Sequence, residues 1–582
     1  MKLKHIFGFA ALMSLGLTAC SDQMDYNEFR VNDEEYVKRD FGQVGAFTTH
    51  IYRDLDYDFG QMYSGASLCS ATDEAVYSHT GNQIESYYNG AWSPTNANNV
   101  IWGTCWDAIA YSNLYLADYV GLTFPEHEQE KDYADQMLKY ENYQWEIRFM
   151  RAYFYFLLVR QYGSVPLITE NLNADQANNA EPASIDEIFQ FIDDECAAIK
   201  GEIIENYSGA YNSIENEPGR VNNLGVLALR ARAALYHASP LFTQGKSDSE
   251  IKQLWHEAAL RNKECIDACR KRSMTLASDY ANLFGSDNWN STDAAKEIIF
   301  ARRVAASNSF ESYNFPIGMD GAGGGNCPTE NLVSAYETTN GLAIDDPANT
   351  MYDPQNPYVN RDSRLLKTVA VNGERFPDDL NRQDPSAVLE TFVGGANSRS
   401  ISYGTPTGYY LKKYVDSKTV LTGSTANSNK HTWILFRMGQ LYLDYAEAML
   451  NYTGSGYATE DGLSMSAADA INLVRTRAGQ PNLPLGLSPA DFEKRYENER
   501  FVELAFEGHR IFDVRRWMKG PQYFKDIKVM NIVKNADGTL TFTPVVNPAW
   551  ITSRKWEDKF YFWPFPQAEI LKSGHLKQNP GW

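Results

Sequence analysis

Histidine is scarce in this chain, 9 residues in 582, and those present are spread without metal-ligand spacing. His256-Glu257 is followed by Leu260 where a zinc helix of the H-E-x-x-H type needs its second His. His237 and His509 read as structural. No G-x-S-x-G nucleophile elbow occurs. Cysteine is sparse and irregular: Cys69, Cys105, Cys196, Cys265, Cys269 and Cys327 have no disulfide-scaffold rhythm. Cys265 and Cys269, four apart in a helical pattern, read as two thiols on one helix face rather than a metal pair. Positive charge is short. Lys and Arg total 53 against 74 Asp and Glu, and the net charge of -21 repels nucleic acid and anionic membrane. Asp54 to Gly60 lacks EF-hand spacing, with its Gly one place late and Gly65 at the twelfth position where Glu belongs. Gly321 to Gly325 lacks the Lys-Ser/Thr of a phosphate loop and reads as a flexible turn. No cofactor is indicated, a structural calcium ion included. A glycosidase stays open, because two catalytic carboxylates have no fixed sequence spacing.

What the chain does have is helix. Ser488 to Lys519 is its most organised stretch, with Ser488 as N-cap, Pro489 in the first turn and Asp491 at capping-box spacing. A helix is expected from there to the stop at Gly508, apolar all round near its end and therefore buried. Glu499, Glu503 and Glu507 share one face, where like charges repel. They read either as catalytic carboxylates or, preferably, as a buried ion-pair network, with Arg500, Arg510, Arg515 and Arg516 as the obvious counter-charges. Upstream, Tyr140, Tyr143, Ile147, Met150, Phe154 and Leu157 form one apolar stripe ending at Gly163 and Pro166. Ser184 caps Ile185 to Lys200, with Glu187 completing the box. Asn222 to Tyr236 pairs with Ile251 to Arg270, and Trp433 to Leu450 with Ala467 to Thr476. Paired helices imply an all-α core of about four tetratricopeptide-like repeats. Residues 281–427 interrupt them as a loop-rich insertion with short strands.

The two ends of the chain differ from this core. Residues 1–19 read as an export signal: Lys2 and Lys4, then an apolar run from Ile6 too short to span a bilayer. The run ends Leu17-Thr18-Ala19-Cys20, which resembles a bacterial lipobox, so Cys20 is the expected site of acylation and lipid anchoring. Residues 20–31 read as an acidic tether, followed by an N-terminal helical region to 270 and a C-terminal region over 271–582. Ser70 to Trp102 is a loop rich in Asn, Gly and aromatics, long enough to suggest function. The terminal Trp582 is expected to pack back onto the body.

Four runs resemble the SusD/RagB family of surface glycan-binding lipoproteins, over nearly the whole chain. They are Arg148 to Leu167 (RFMRAYFYFLLVRQYGSVPL), Arg437 to Ala448 (RMGQLYLDYAEA, with Gln440 where Glu is usual), Asn498 to Trp517 (with Phe501 where Arg is frequent) and Phe562 to Trp582 (FWPFPQAEILKSGHLKQNPGW, with Gly574 near a frequent Asn). The resemblance implies non-catalytic binding of oligosaccharide or polysaccharide. It also implies an outer-membrane lipoprotein facing the cell exterior, partnered by a SusC-like TonB-dependent transporter. A surface glycoside hydrolase and a scaffold binding only protein are the alternatives. Aromatic rings suit the C–H faces of sugars and polar side chains suit their hydroxyls. Trp92 with Asp73 and Asn96 is the expected glycan site, opposed by Trp289, Tyr313 and the loop to Cys327.

Overall fold

The structure, a computed structural model, describes residues 34–582 other than 56, 57, 59–61, 99, 287, 378–387 and 525. The export signal, the tether and Cys20 lie outside the described residues.

Apolar stripes at helical spacing need a partner face, and the chain supplies one helix after another. Helices α1 (Phe41–Tyr52), α2 (Val100–Asp118), α3 (Tyr133–Tyr162), α4 (Ile185–Ile199), α5 (Asn223–Ala238) and α6 (Asp248–Lys271) come first. Helices α7 (Met438–Thr453), α8 (Ala467–Arg477) and α9 (Pro489–Glu503) follow the insertion. From α2 to α8 each helix packs on the one before it, and α6 meets α7 directly across the insertion. The insertion therefore bulges from a continuous stack. Local chemistry sets the ends: Ser184 with Glu187, Ser247 with Glu250 and Ser466 with Asp469 form reciprocal capping boxes.

Among the described residues the strands form two-stranded antiparallel ladders. Strand β1 (Ala75–Tyr77) pairs with β3 (Asn326–Pro328), β2 (Ile298–Arg303) with β6 (Thr432–Arg437), β4 (Val369–Ala370) with β5 (Tyr410–Leu411), and β7 (Lys528–Lys534) with β8 (Leu540–Val546). The helix expected from Trp433 thus begins only at Met438. Thr432 to Phe436 is β-branched and aromatic, and the partner strand β2 takes up its backbone bonds.

Helix α9 stops at Glu503, short of Gly508. Phe506 adopts a left-handed φ of 59°, and its N–H donates to the buried Glu74 at 2.6 Å. The Ala505 carbonyl accepts from Lys413 Nζ at 2.6 Å. Tertiary partners therefore take the backbone groups that another helical turn would have used.

The glutamate face is an ion-pair network. Glu499 accepts from Arg364 and Arg475 (2.6 and 2.9 Å), and Glu503 from Arg364, Arg437 and Arg477. Glu507 accepts from Arg437 and Lys413. The expected counter-charges are elsewhere: Arg500 pairs with Asp444 and Asp513, Arg510 with Asp73, and Arg516 with Glu447 and Asp513. Arg515 donates to the Phe560 and Ile511 carbonyls. Arg500 turns instead toward Asp444 on α7 and Asp513, which leaves the glutamates to arginines from other elements. Burial alone would raise the pKa of Glu503; Arg477, Arg437 and Arg364 outweigh it and hold the carboxyl well below the usual range.

Candidate functional site

The ladder of β1 and β3 brings the start of the Ser70–Trp102 stretch against the glycine run of the insertion. Tyr77 pairs with Asn326, and one residue on Ser78 N donates to the Gly325 carbonyl at 2.9 Å. The glycines here form a turn packed closely against neighbouring backbone. Gly324 has φ +81°, and a Cβ on it would lie 2.2 Å from the Tyr403 carbonyl oxygen. Only glycine lets the backbones approach this closely.

That close approach assembles a row of rings. His79 stacks on Tyr403, centroids 4.0 Å apart at 11°, and Tyr77 on His79 at 5.1 Å and 24°. The His79 Nε2 lies 2.6 Å from the Gly323 carbonyl, which fixes the imidazole between the tyrosines. Tyr77 is buried and its hydroxyl donates to the Ser64 carbonyl at 3.0 Å. Burial, then Tyr313 and Cys327, push its pKa up to about 12, so it stays a neutral phenol. Tyr313 flanks it: a Cβ on Gly65 would meet the Tyr77 hydroxyl at 2.3 Å and the Tyr313 ring at 2.7 Å. Tyr403, at the outer end, is 53% exposed.

A notch continues this surface. Tyr77, Ser78, Thr80 and Glu85 line one side, Pro406, Trp550 and Arg554 the other. Trp550 is 41% exposed, and its indole N–H donates to the Pro406 carbonyl at 3.0 Å. The Arg399 guanidinium lies 4.0 Å from the Trp550 ring centroid and donates to Asn531 at 2.8 Å. The surface thus offers two exposed rings, Tyr403 backed by His79 and Trp550 carrying the Arg399 guanidinium on its face. Glu85 is the one carboxylate among the residues lining the notch.

The residues expected at the site are dispersed. Trp92 is buried at 2% exposure and packs against Tyr87, Phe560, Trp563 and Trp582, so the expectation of a displayed indole there is corrected. The C-terminal tail covers it, Trp582 included. Asp73 is buried in a bidentate pair with Arg510, at 2.8 and 2.7 Å, and has no oxygen to offer a sugar. Asn96 closes a local turn by donating to the Ala91 carbonyl at 3.0 Å. Trp289 is half-buried beneath the Arg303 guanidinium. Cys327 is fully buried on β3, its thiol pushed up to about 12 by burial. Of the six, Tyr313 flanks the ring row, and Cys327 lies buried beside Tyr77 on β3 with no surface to offer a ligand. His79, Tyr403, Arg399 and Trp550 were not singled out in the sequence. The Tyr403-Gly404 step after a serine-rich turn was the available signal, and a weak one.

Among the described residues no group of three or more His, Cys, Asp or Glu could hold a metal ion, and no helix is long and apolar enough to cross a membrane.

Comparison with known proteins accords with the helical stack. Residues 296–582 match the SusD family model, and residues 36–211 match a second model described as starch-binding, associating with the outer membrane. A SusD-like protein of Bacteroides ovatus is 23% identical over 461 residues, 75% of this chain and 73% of that protein. The crystal structure of a SusD-like protein from Bacteroides fragilis superposes with a TM-score of 0.75 at 21% identity, covering 94% of this chain and 99% of the other. A SusD-like carbohydrate binding protein from the same species gives 0.70 at 20% identity, covering 93% and 100%. These likenesses carry the fold, tetratricopeptide-like helical repeats bearing a loop-rich insertion, and with the two family models they identify the chain as a member of the SusD/RagB family.

Proposed function

We propose that this protein binds oligosaccharide or polysaccharide at the cell surface without cleaving it, and delivers it to a SusC-like TonB-dependent transporter. The observation that carries the reading is the ring row. Tyr403 and Trp550 are large, exposed and held still, Tyr403 by His79 and Gly324, Trp550 by Arg399 and Pro406. Ordered aromatic surface takes the C–H face of a sugar with little loss of side-chain freedom. The Arg399 guanidinium and the Glu85 carboxylate suit its hydroxyls. The family model named for starch binding and outer-membrane association, and the carbohydrate-binding structural relative, support the ligand class and the location. On this reading acylated Cys20 anchors the chain in the outer membrane, facing outward.

Calorimetry of wild type and Tyr403→Ala/Trp550→Ala against a panel of neutral polysaccharides tests the site. Each ring covered by a sugar loses apolar surface to water at about 25 cal/mol per Å², so losing about 60 Å² over the two rings costs about 1.5 kcal/mol and the double variant is expected to bind about tenfold more weakly with its unfolding midpoint unchanged. Equal affinity in the double variant overturns the site. Release of reducing sugar by the wild type overturns the non-catalytic reading.

A further inference from the structure

A second cavity, of about 370 Å³, lies between α2, the segment 166–178 and the C-terminal residues 569–576. None of its lining residues belongs to the ring row or the notch. At liquid density it has the volume of about a dozen waters, room for a mono- or disaccharide.

Its wall is aromatic. Trp102 and Trp106, one turn apart on α2, meet edge to face with centroids 5.6 Å apart. Trp102 is braced from behind by Tyr162 and Phe565, and Trp106 by Tyr155. Ile168, Leu172 and Leu576 extend the apolar lining. The Trp106 indole N–H, buried in this wall, finds no acceptor in the protein. The rim is polar: the carboxylates of Asp107, Glu170 and Glu569 and the carboxamides of Asn171 and Asn178. No Lys, Arg or His lines the cavity.

Gly103 stands at the mouth. It lies in the first turn of α2, where glycine is a poor helix former. Its φ is not left-handed, and a Cβ built on it would meet no atom within 4 Å. Neither backbone conformation nor packing calls for glycine here, and a longer side chain at this lining position has open space to enter.

We infer that this cavity is a second saccharide site, binding the end of a neutral glycan with a sugar ring against the indoles and its hydroxyls on the acidic rim. A purely apolar ligand would strip water from three carboxylates without replacing its hydrogen bonds. An anionic sugar would meet carboxylates and no cation. A neutral sugar has C–H faces for the wall and hydroxyl donors for the rim. The ligand class rests on the proposed function, whereas the residues are independent of it.

The test uses the protein labelled with 5-fluorotryptophan, its Trp102, Trp106 and Trp550 fluorine resonances assigned by Trp→Phe substitution. Maltotriose and laminaritriose are the neutral probes, and trigalacturonate is the anionic one. The Trp106 resonance is expected to shift with a neutral probe and not with trigalacturonate. Gly103→Met, which fills the mouth with a better helix former, should weaken that response at least tenfold, and Ala110→Met on the same helix face is the second filler. Tyr403→Ala should leave it intact. No Trp106 shift with either neutral probe, a shift that survives both fillers, or a preference for trigalacturonate overturns the inference. The two sites are read separately. A shift at Trp550 without one at Trp106 sinks the second site and spares the first, and a shift at Trp106 alone does the reverse.

Discussion

Replacing Glu503 by Gln tests whether the buried network, rather than any chemistry, explains the three stacked glutamates. The Glu503 side chain is fully buried and accepts from Arg364 at 2.8 Å, from Arg437 at 2.7 Å and from Arg477. Glutamine keeps the shape and one acceptor oxygen but removes the charge. Arg364 retains Asp362 and Glu499, Arg437 retains Glu297 and Glu507, and Arg477 retains Glu297. Breaking a buried pair from one side costs about 3–5 kcal/mol. Because every arginine keeps another carboxylate, the loss should fall at the lower end, about 3 kcal/mol. With a urea m-value of about 3 kcal/mol/M, that moves the unfolding midpoint down by about 1 M. Tryptophan fluorescence in a urea series at neutral pH reads it directly. The pH dependence has a fixed sign. The folded pKa of Glu503 lies below its ordinary value of 4.5, so its contribution is present above that value and is lost as pH falls through the folded one. The gap between wild type and E503Q should therefore narrow as pH drops from 6 towards 3. A midpoint shift under about 0.2 M, which is well under 1 kcal/mol at the same slope, would refute the network's weight. A gap that stays constant with pH would refute the charge as its cause.

Trp92→Ala should cost about 3–5 kcal/mol of stability, as expected for a large core side chain, while the folded fraction keeps wild-type glycan affinity in calorimetry. Unchanged stability with lost binding would return Trp92 to the sugar site. Glu74, fully buried, has its carboxyl pushed up to about 8 by burial, against the pull of the Phe506 N–H. Its raised folded pKa means that folding takes up a proton between about pH 4.5 and 8, so wild-type stability declines across that window. Glu74→Gln keeps the acceptor and lacks the titration. In urea unfolding its stability relative to wild type should rise by up to roughly 1.4 kcal/mol per pH unit there, and a gap independent of pH would contradict the buried proton.

The helices were legible because their causes are local. A 3-4-3-4 stripe, a serine with a carboxylate three residues on, and a glycine followed by proline act within one or two turns, and the observed ends fall within a few residues of those signals. The four family runs are equally local. Exposure is different, because it depends on what arrives from elsewhere in the chain. Trp92 sits in a Gly-Ala-Trp-Ser-Pro segment that looks like a display loop, and the last residues of the chain cover it. Asp73 looks free until Arg510 closes on it.

The sequence by itself determined the family, the helical stack and the place of the insertion, since periodic apolar faces and caps act over a few residues. The tertiary structure alone decided which aromatics face solvent. His79 and Tyr403 are more than three hundred residues apart, and they stack because β1 finds β3 and Gly324 lets Tyr403 approach without a side chain between them.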